Sequence, residues 1–298
     1  MKFDVVLTNP PFHDRTARGR TPHKLWIDFT EAAFTTLLKP GGLLLQISPA
    51  SFRSPSNRVL RLMRALSTSL INFDIAHHFP GVGSSFAYYA IRNTPARGRD
   101  RQTTVVCDGV TSQIVIGPDV LWLPNDLCAE ALSIHRKVMF PRGGRLPVLH
   151  DYVTCHNTTL GSTLSKVATA QHVHPVFHTN PQIWWTSIRQ PWADLPKVLW
   201  TRSGYTKPFF DAGVYGGTDM VYRVVTETET AGRNLLHNLS LPLIVYVLKT
   251  ARWSGFGNEV VFASLPDLPT DRQLSADEIC DLFAISTQER EYVQRYLG

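Results

Sequence analysis

The sequence is poor in cysteine, only 18% charged and free of long hydrophobic runs. Its four cysteines, Cys107, Cys128, Cys155 and Cys280, are spread irregularly over 298 residues, a spacing that suits neither a disulfide framework nor a CxxC metal site. They read as reduced, structural thiols. No uninterrupted apolar stretch approaches the ~18 residues a membrane span needs, and Met1 leads into Asp4 rather than into a signal-peptide core. The expected location is the cytoplasm, with no membrane partner. Internal repeats and low-complexity tracts are absent. Eleven histidines include His77-His78 and the His172/His174/His178 group. Without Cys or carboxylate partners they read as solvated or polyanion-facing, and no metal is expected.

What is present is ample apolar material, 43% of 298 residues, enough for two cores in a chain longer than one usual domain. The formal charge is +6 and the pI about 9.2. Residues 1–125 carry 14 Lys and Arg against 8 Asp and Glu, residues 131–252 carry 13 against 6, and residues 253–298 carry 3 against 8. Two basic blocks followed by an acidic end suit a polyanion lying between the blocks. The bland alternative is solubilising surface charge.

The chain is organised around its first residues. Val5, Val6 and Leu7 are β-formers in an unbroken apolar run, which predicts a strand buried on both faces of a parallel sheet. Pro10 and Pro11 end it, because each fixes φ and removes an N–H donor. The Asn9 carboxamide and the carbonyls beside it are thereby held at the strand's carboxyl end, where open α/β sheets bind ligands. Two oxygens side by side accept from an exocyclic amino group, and Phe12 offers a ring for a flat heterocycle. Asn9, Pro10, Pro11 and Phe12 are therefore the candidate catalytic residues. Asp4 lies too early on the strand to act as a base.

After Phe12 a polar, basic segment from His13 to His23 reads as a loop. Lys24–Leu38 reads as a helix stopped by Lys39-Pro40-Gly41-Gly42, Gly42–Ser48 as a second strand, and Asn57–Ser69 as a helix. Leu70–Phe79 reads as the next strand, turned at Gly81-Val82-Gly83-Ser84 into Phe86–Arg92. Thr103–Ile116 reads as two strands around Asp108-Gly109. Beyond Pro124 the composition shifts. Lys197–Trp200 and Val221–Val225 read as strands flanking the aromatic, flexible loop Gly204–Gly217. Arg233–Arg252 reads as a helix interrupted near Pro242, and Ser275–Leu297 as a helical end begun by a capping box.

The stretch Asp4-Val5-Val6-Leu7-Thr8-Asn9-Pro10-Pro11-Phe12 resembles motif IV of the amino-group DNA methyltransferases, especially the Eco57I/TaqI-like adenine-N6 enzymes of restriction-modification systems. Lys24–Leu38, Lys39–Phe52 and Phe79–Ile91 resemble, in order, the segments that follow it. The match covers about the first third of the chain. The resemblance implies an α/β fold: a partial Rossmann-like sheet, its second half with an antiparallel edge strand, followed by a mixed α+β target-recognition domain. On this basis residues 1–124 are the catalytic half and residues 125–298 the DNA-recognition domain. Asn9 Oδ1 and the Pro10 carbonyl would accept from the N6 amine of an adenine extruded by base flipping, with Phe12 and Phe86 stacking on its two faces. Arg202, Lys207 and Arg252 are the candidate contacts to double-stranded DNA.

The resemblance also implies S-adenosylmethionine as cofactor, but the family's Gly-rich turn precedes motif IV and no such turn stands in this sequence. Gly213–Gly217 and Gly255-Phe256-Gly257 are the remaining Gly-rich stretches, and neither opens a helix after a buried strand. Cofactor-binding residues are therefore unassigned. The expectation is that a second polypeptide supplies the cofactor-binding half and covers the edge of the first strand. Two alternatives stay open: a non-enzymatic DNA-binding remnant, and an RNA or protein-glutamine N-methyltransferase.

Overall fold

A computed structural model describes residues 1–13, 24–81, 85–139, 143–179, 182–202, 207–252 and 258–298. The chain divides into two units, Met1–Arg136 and Lys137–Gly298. The first extends past Pro124 because Val120, Leu123, Leu127 and Leu132 are buried in its core.

Unit 1 is built on a six-stranded sheet. Its elements are β1 (Phe3–Thr8), α1 (Leu25–Ala32), β2 (Leu38–Pro49), α2 (Arg58–Ala65), β3 (Leu66–Asn72), β4 (Phe86–Pro95), β5 (Gln102–Cys107) and β6 (Val110–Val115). The spatial order is β1-β2-β4-β3-β5-β6. β1 pairs parallel to β2, and β3 parallel to β5, while β4 runs antiparallel to both β2 and β3. The strand after Phe79 thus lies inside the sheet, and the antiparallel edge strand is β6. Asp108 and Gly109 join β5 to β6 with φ of 51° and 76°, the paired left-handed conformations that match the twist of a two-residue hairpin.

Two boundaries move from where local pattern put them. The helix read over Asn57–Ser69 ends at Ala65, and Leu66 already begins β3, which closes at Asn72. Ser67 and Thr68 pair with Arg92 and Ile91 of β4, so tertiary ladder bonds override the helical apolar spacing. β2 likewise begins at Leu38, beside Phe3, rather than at Gly42.

Both helices cover one face of the sheet. Trp26, Leu44, Leu60, Met63, Ile71, Tyr89, Ile91 and Val105 are all at most 1% exposed there. A buried polar cluster pins α1 to the strands: Gln46 Nε2 donates to Thr30 Oγ1 at 2.7 Å and to Tyr89 Oη at 2.9 Å. Burial pushes the Tyr89 phenol up to about 12. Arg58 ties α2 to α1 through Asp28 and Glu31, and the Asn57 side chain caps α2 by accepting from Val59 N.

The opposite face is open, and this corrects the expectation for the first strand. Val5 is 55% and Leu7 79% exposed, whereas an unbroken apolar run predicts burial on both sides. Register places Val5 beside Leu43, Leu7 beside Leu45, and Ile47 beside Tyr88. Leu43, Leu45, Ile47 and Tyr88 are half-buried. Among the described residues of unit 1, no helix lies over this face, and β1 is an edge.

α3 (Ala129–Val138) closes unit 1 and leads into unit 2. Unit 2 contains β7 (Leu149–His150), β8 (Leu164–Ser165), β9 (His174–Phe177), β10 (Ile183–Thr186), β11 (Lys197–Thr201), β12 (Phe209–Asp211), β13 (Gly216–Gly217) and β14 (Val221–Val225). They form two four-stranded sheets, β13-β9-β10-β8 and β12-β11-β14-β7. Then come α4 (Glu229–Leu239), α5 (Pro242–Thr250), α6 (Asn258–Phe262), α7 (Ala276–Leu282) and α8 (Thr287–Leu297). Pro242 at the first turn of α5 separates it from α4. Ser275 and Ser286 each form a capping box, with Glu278 and Glu289. Asn238, fully buried on α4, holds the segment before α7 by donating to the Pro269 and Arg272 carbonyls and accepting from Leu274 N. In the second sheet Lys197 and Asp211 form a buried ion pair at 2.5 Å. Asp211 also accepts from Val214 N and Tyr215 N.

Candidate functional site

The pairing directions bring one set of loops to one edge of the unit 1 sheet. β1, β2, β3 and β5 share a direction, and β4 and β6 oppose it. The same edge therefore collects Asn9–Phe12 after β1, Ala50–Arg53 after β2, Phe73–Phe79 after β3, Phe86 at the start of β4, and the Asp108-Gly109 turn. This is the carboxyl end of the parallel strands, where α/β sheets bind ligands.

At that edge Asn9 is exposed, Pro10 buried, Pro11 exposed and Phe12 half-buried. The double proline fixes the backbone as the chain leaves the ladder, so Asn9 sits beyond the last paired residue, Thr8. The Phe12 and Phe86 rings meet with centroids 5.3 Å apart and planes tilted by 31°. A flat base between two rings needs about 7 Å, twice a carbon–carbon contact. In this conformation the two rings touch each other instead.

Phe79, which sequence reasoning did not single out, completes the cluster. Its ring stacks on Phe86 at 4.5 Å with an interplanar angle of 27°. Phe86 is 5% exposed and Phe79 half-buried, so Phe86 is the middle ring of three. The available signal was the Phe79-Pro80-Gly81 turn between two strands. Only the placement of β4 beside β2, with Phe86 opposite Pro49, brings that turn next to Phe12.

A second layer supports these rings. Phe52 stacks on Phe73 at 5.9 Å and meets Tyr89 edge-on at 5.4 Å. The Arg53 guanidinium lies 3.8 Å above the Phe73 ring and donates to Asn125 Oδ1 at 2.8 Å. Burial lowers Arg53 to about 10, opposed by nearby Cys107, Asp108 and Asp126. Burial pushes the Cys107 thiol up to about 11, which makes it a poor nucleophile at neutral pH. The Asp74 carboxylate accepts from Asp108 N and Gly109 N and fixes the hairpin turn. Asp4 is paired with Lys39 in an exposed bridge near the start of β1, away from the Asn9 end.

In unit 2 the structure brings Lys207 and Arg252 together. They line a cavity of about 220 Å³ with Lys249, Leu239, Leu248 and Phe262. Arg202 is not among these lining residues and lies close enough to His150 and Tyr222 to influence both. Residues 14–23 of the basic loop, 204–206 of the aromatic loop and the Gly255–Gly257 stretch lie outside the described residues. His172 and His178 are buried in hydrogen bonds with Thr169 and Thr218. Among the described residues no group of three or more His, Cys, Asp and Glu is arranged to hold a metal. None of the described helices is long and apolar enough to cross a membrane.

Of the two Gly-rich stretches, Gly255–Gly257 is followed at once by α6 (Asn258–Phe262), contrary to the expectation that no helix opens there, whereas Gly213–Gly217 does not fit an S-adenosylmethionine seat. Gly213–Gly217 passes into β13 rather than into a helix. Gln190 fills the space beside it, exchanging hydrogen bonds with Gly217 N and Gly217 O at 2.7 and 2.9 Å. A Cβ on Gly216 would collide with Gln190 and Val176, and one on Gly217 would press on Val221 and Trp192. These glycines serve close packing.

No family model matches the chain. No curated protein sequence matches it either. Among solved structures the chain is similar to the Type IIL restriction-modification enzyme MmeI in complex with DNA, at 12% identity and a TM-score of 0.49, over 88% of this chain and 45% of that one. It is also similar to the M protein of the Type I restriction enzyme EcoKI, at 16% identity and a TM-score of 0.27, over 49% of this chain and 34% of that one. The chain thus spans less than half the length of either structure.

Proposed function

We propose that this chain is the acceptor-holding and DNA-recognising part of an S-adenosylmethionine-dependent adenine-N6 DNA methyltransferase of restriction-modification type. The observation that supports it most is Asn9-Pro10-Pro11-Phe12 standing at the carboxyl end of β1 beside the Phe12–Phe86–Phe79 cluster.

In this reading the Asn9 Oδ1 and the Pro10 carbonyl oxygen accept the two N6 hydrogens of an extruded adenine. Those hydrogen bonds draw the amine nitrogen out of conjugation with the ring and free its lone pair. The Phe12 ring stacks on the base, and Phe86 backs Phe12 from beneath. No general base is required, because the amine becomes acidic once alkylated and its proton passes to water. S-adenosylmethionine, held by a second polypeptide or a further part of the assembly, would supply the methyl group and leave as S-adenosylhomocysteine. The unpaired β1 edge and the open face carrying Val5, Leu7, Leu43, Leu45 and Ile47 are where those additional strands and helices dock. Unit 2 binds double-stranded DNA, with Arg202, Lys207 and Arg252 as contacts.

The test has two arms. Titration of S-adenosylmethionine into the purified chain should give no binding, and addition of the cofactor-binding partner should restore it. In that reconstituted assembly Asn9→Ala should abolish N6-methyladenine formation in DNA, read by mass spectrometry of nucleosides, while leaving duplex affinity intact. Methylation by Asn9→Ala at the wild-type rate would remove the assignment.

A further inference from the structure

The second sheet of unit 2 carries a ladder of rings that runs from its core to its surface. Phe262 stacks on Trp200 at 4.1 Å, and Trp200 on Tyr222 at 6.3 Å. Tyr222 stacks on His150 at 4.3 Å, and His150 meets Tyr152 at 3.6 Å. Strand register explains the order: Trp200 of β11 lies opposite Tyr222 of β14, which lies opposite His150 of the edge strand β7. Cross-strand neighbours on one face are the closest side-chain pairs a sheet makes. Trp200 and Tyr222 are at most 3% exposed, His150 is half-buried, and Tyr152 is 57% exposed.

The exposed end is held in place rather than left to swing. His150 Nε2 donates to the Asp219 carbonyl at 2.7 Å, which fixes the ring's orientation. The Tyr152 hydroxyl meets that of Tyr222 at 3.5 Å. Asp151 caps the turn by accepting from Val153 N and Thr154 N, both at 3.0 Å, and from Gln190 Nε2 at 2.9 Å. Burial pushes the Asp151 carboxyl up, and these hydrogen bonds outweigh it and bring the group down to about 2. The turn therefore keeps its anionic cap at any ordinary pH. Val153, on the same turn, is 83% exposed. Arg202 follows Trp200 by the same two-residue step that separates Tyr152 from His150, and its charge acts on both His150 and Tyr222.

An ordered ring ladder that ends in an exposed tyrosine next to an exposed valine, with the Arg202 charge acting on its inner rings His150 and Tyr222, matches the chemistry of one partner class. A nucleobase presents a flat π-face to a tyrosine, and its flanking phosphate presents an anion to an arginine. A folded protein partner would need about 800 Å² of contact, far more than two exposed side chains on one turn offer. We infer that Tyr152, backed by His150 and next to exposed Val153, is a stacking site for a nucleobase that has left its duplex or belongs to a single strand. The inference rests on the reading of unit 2 as a DNA-binding unit and adds to it a site for an unstacked base.

The full chain can be tested with two fluorescent single strands of equal length and charge, one of oligothymidylate and one carrying abasic sites. Wild type should bind the base-bearing strand about 5- to 150-fold more tightly, the range that loss of one base–aromatic stack spans. Tyr152→Ser should remove the difference, and Tyr152→Phe, which keeps the ring, should retain it. Equal binding of the two strands by wild type, or an unchanged preference in Tyr152→Ser, would overturn the inference. Duplex DNA in the same assay separates the two readings. Salt-dependent duplex binding without base preference refutes only the stacking site, whereas loss of all nucleic-acid binding refutes the DNA-binding assignment of unit 2 as well.

Discussion

Phe12 and Phe86, far apart in sequence, meet with ring centroids 5.3 Å apart, and Phe86 is already covered on its other side by Phe79. The two outer rings are half-buried and the middle one is nearly sealed at 5% exposure. The expected sandwich of a base between Phe12 and Phe86 thus becomes a division of labour. In the proposed function Phe12 is the ring offered to the base, and Phe86, packed between Phe12 and Phe79, holds Phe12 in position against the end of the sheet.

That division separates stability from activity. Phe86→Ala empties a buried site and should destabilise unit 1 by about 3–5 kcal/mol, visible as a lowered urea midpoint. Phe12→Ala should cost much less stability yet weaken base stacking by about 1–3 kcal/mol, impairing methylation in the complete assembly without abolishing it. Equal effects of the two substitutions on the urea midpoint would contradict the arrangement.

Duplex DNA affinity should fall steeply between roughly 50 and 200 mM salt, because neutralised phosphates release counterions. Lys207→Ala and Arg252→Ala should each flatten the slope of log K against log salt by about 1. Arg202→Ala should do the same. Affinity indifferent to salt would remove the electrostatic basis for these contacts.

Acid should weaken the fold in a window set by His135. Its ring is 1% exposed, and burial lowers it from its ordinary 6.5 to about 3. The unfolded chain therefore binds a proton that the folded chain refuses between those values. The stability held above pH 6.5 is lost as pH falls toward 3, by roughly 1 kcal/mol per pH unit at its steepest. Asp151, ordinarily at 3.8 and lowered to about 2, acts only below that window's middle. Urea midpoints measured above pH 4 should slope more steeply in wild type than in His135→Gln, the slope that remains coming from His150 and His178, whose imidazoles burial also lowers.

The Lys197–Asp211 pair, 0% and 2% exposed, should show strong non-additivity. Lys197→Met strands a buried carboxylate and should cost about 3–5 kcal/mol. Adding Asp211→Asn should recover much of that loss, because the amide still accepts from Val214 N or Tyr215 N without a charge to compensate. Additive losses in the double-mutant cycle would show that the pair does not act as a unit.

Much of the framework is legible in the sequence because it is written in residues whose backbone preference is local. Pro10-Pro11 ends β1, Asp108-Gly109 turns β5 into β6, Pro242 separates α4 from α5, and Ser275 with Glu278 starts α7. Each of these acts through its own φ or its own short hydrogen bonds, so no distant partner is needed to decide it. The same holds for Asn9–Phe12, whose two prolines take the chain out of the ladder just after Thr8.

Tertiary structure alone decided what depends on pairing. Leu66–Ser69 carries the apolar spacing of a helix end but opens β3, because β4 and β5 supply ladder partners on the two sides of that strand. Val5 and Leu7 look like core residues and are exposed, because burial is a property of what covers a face and both helices cover the other one. Phe79 joins Phe12 only through the insertion of β4 between β2 and β3. The Trp200–Tyr222–His150 ladder exists only in the register of three strands that are widely separated along the chain. A sequence fixes local backbone geometry residue by residue, whereas side chains from distant segments become neighbours only once strand order and register are set.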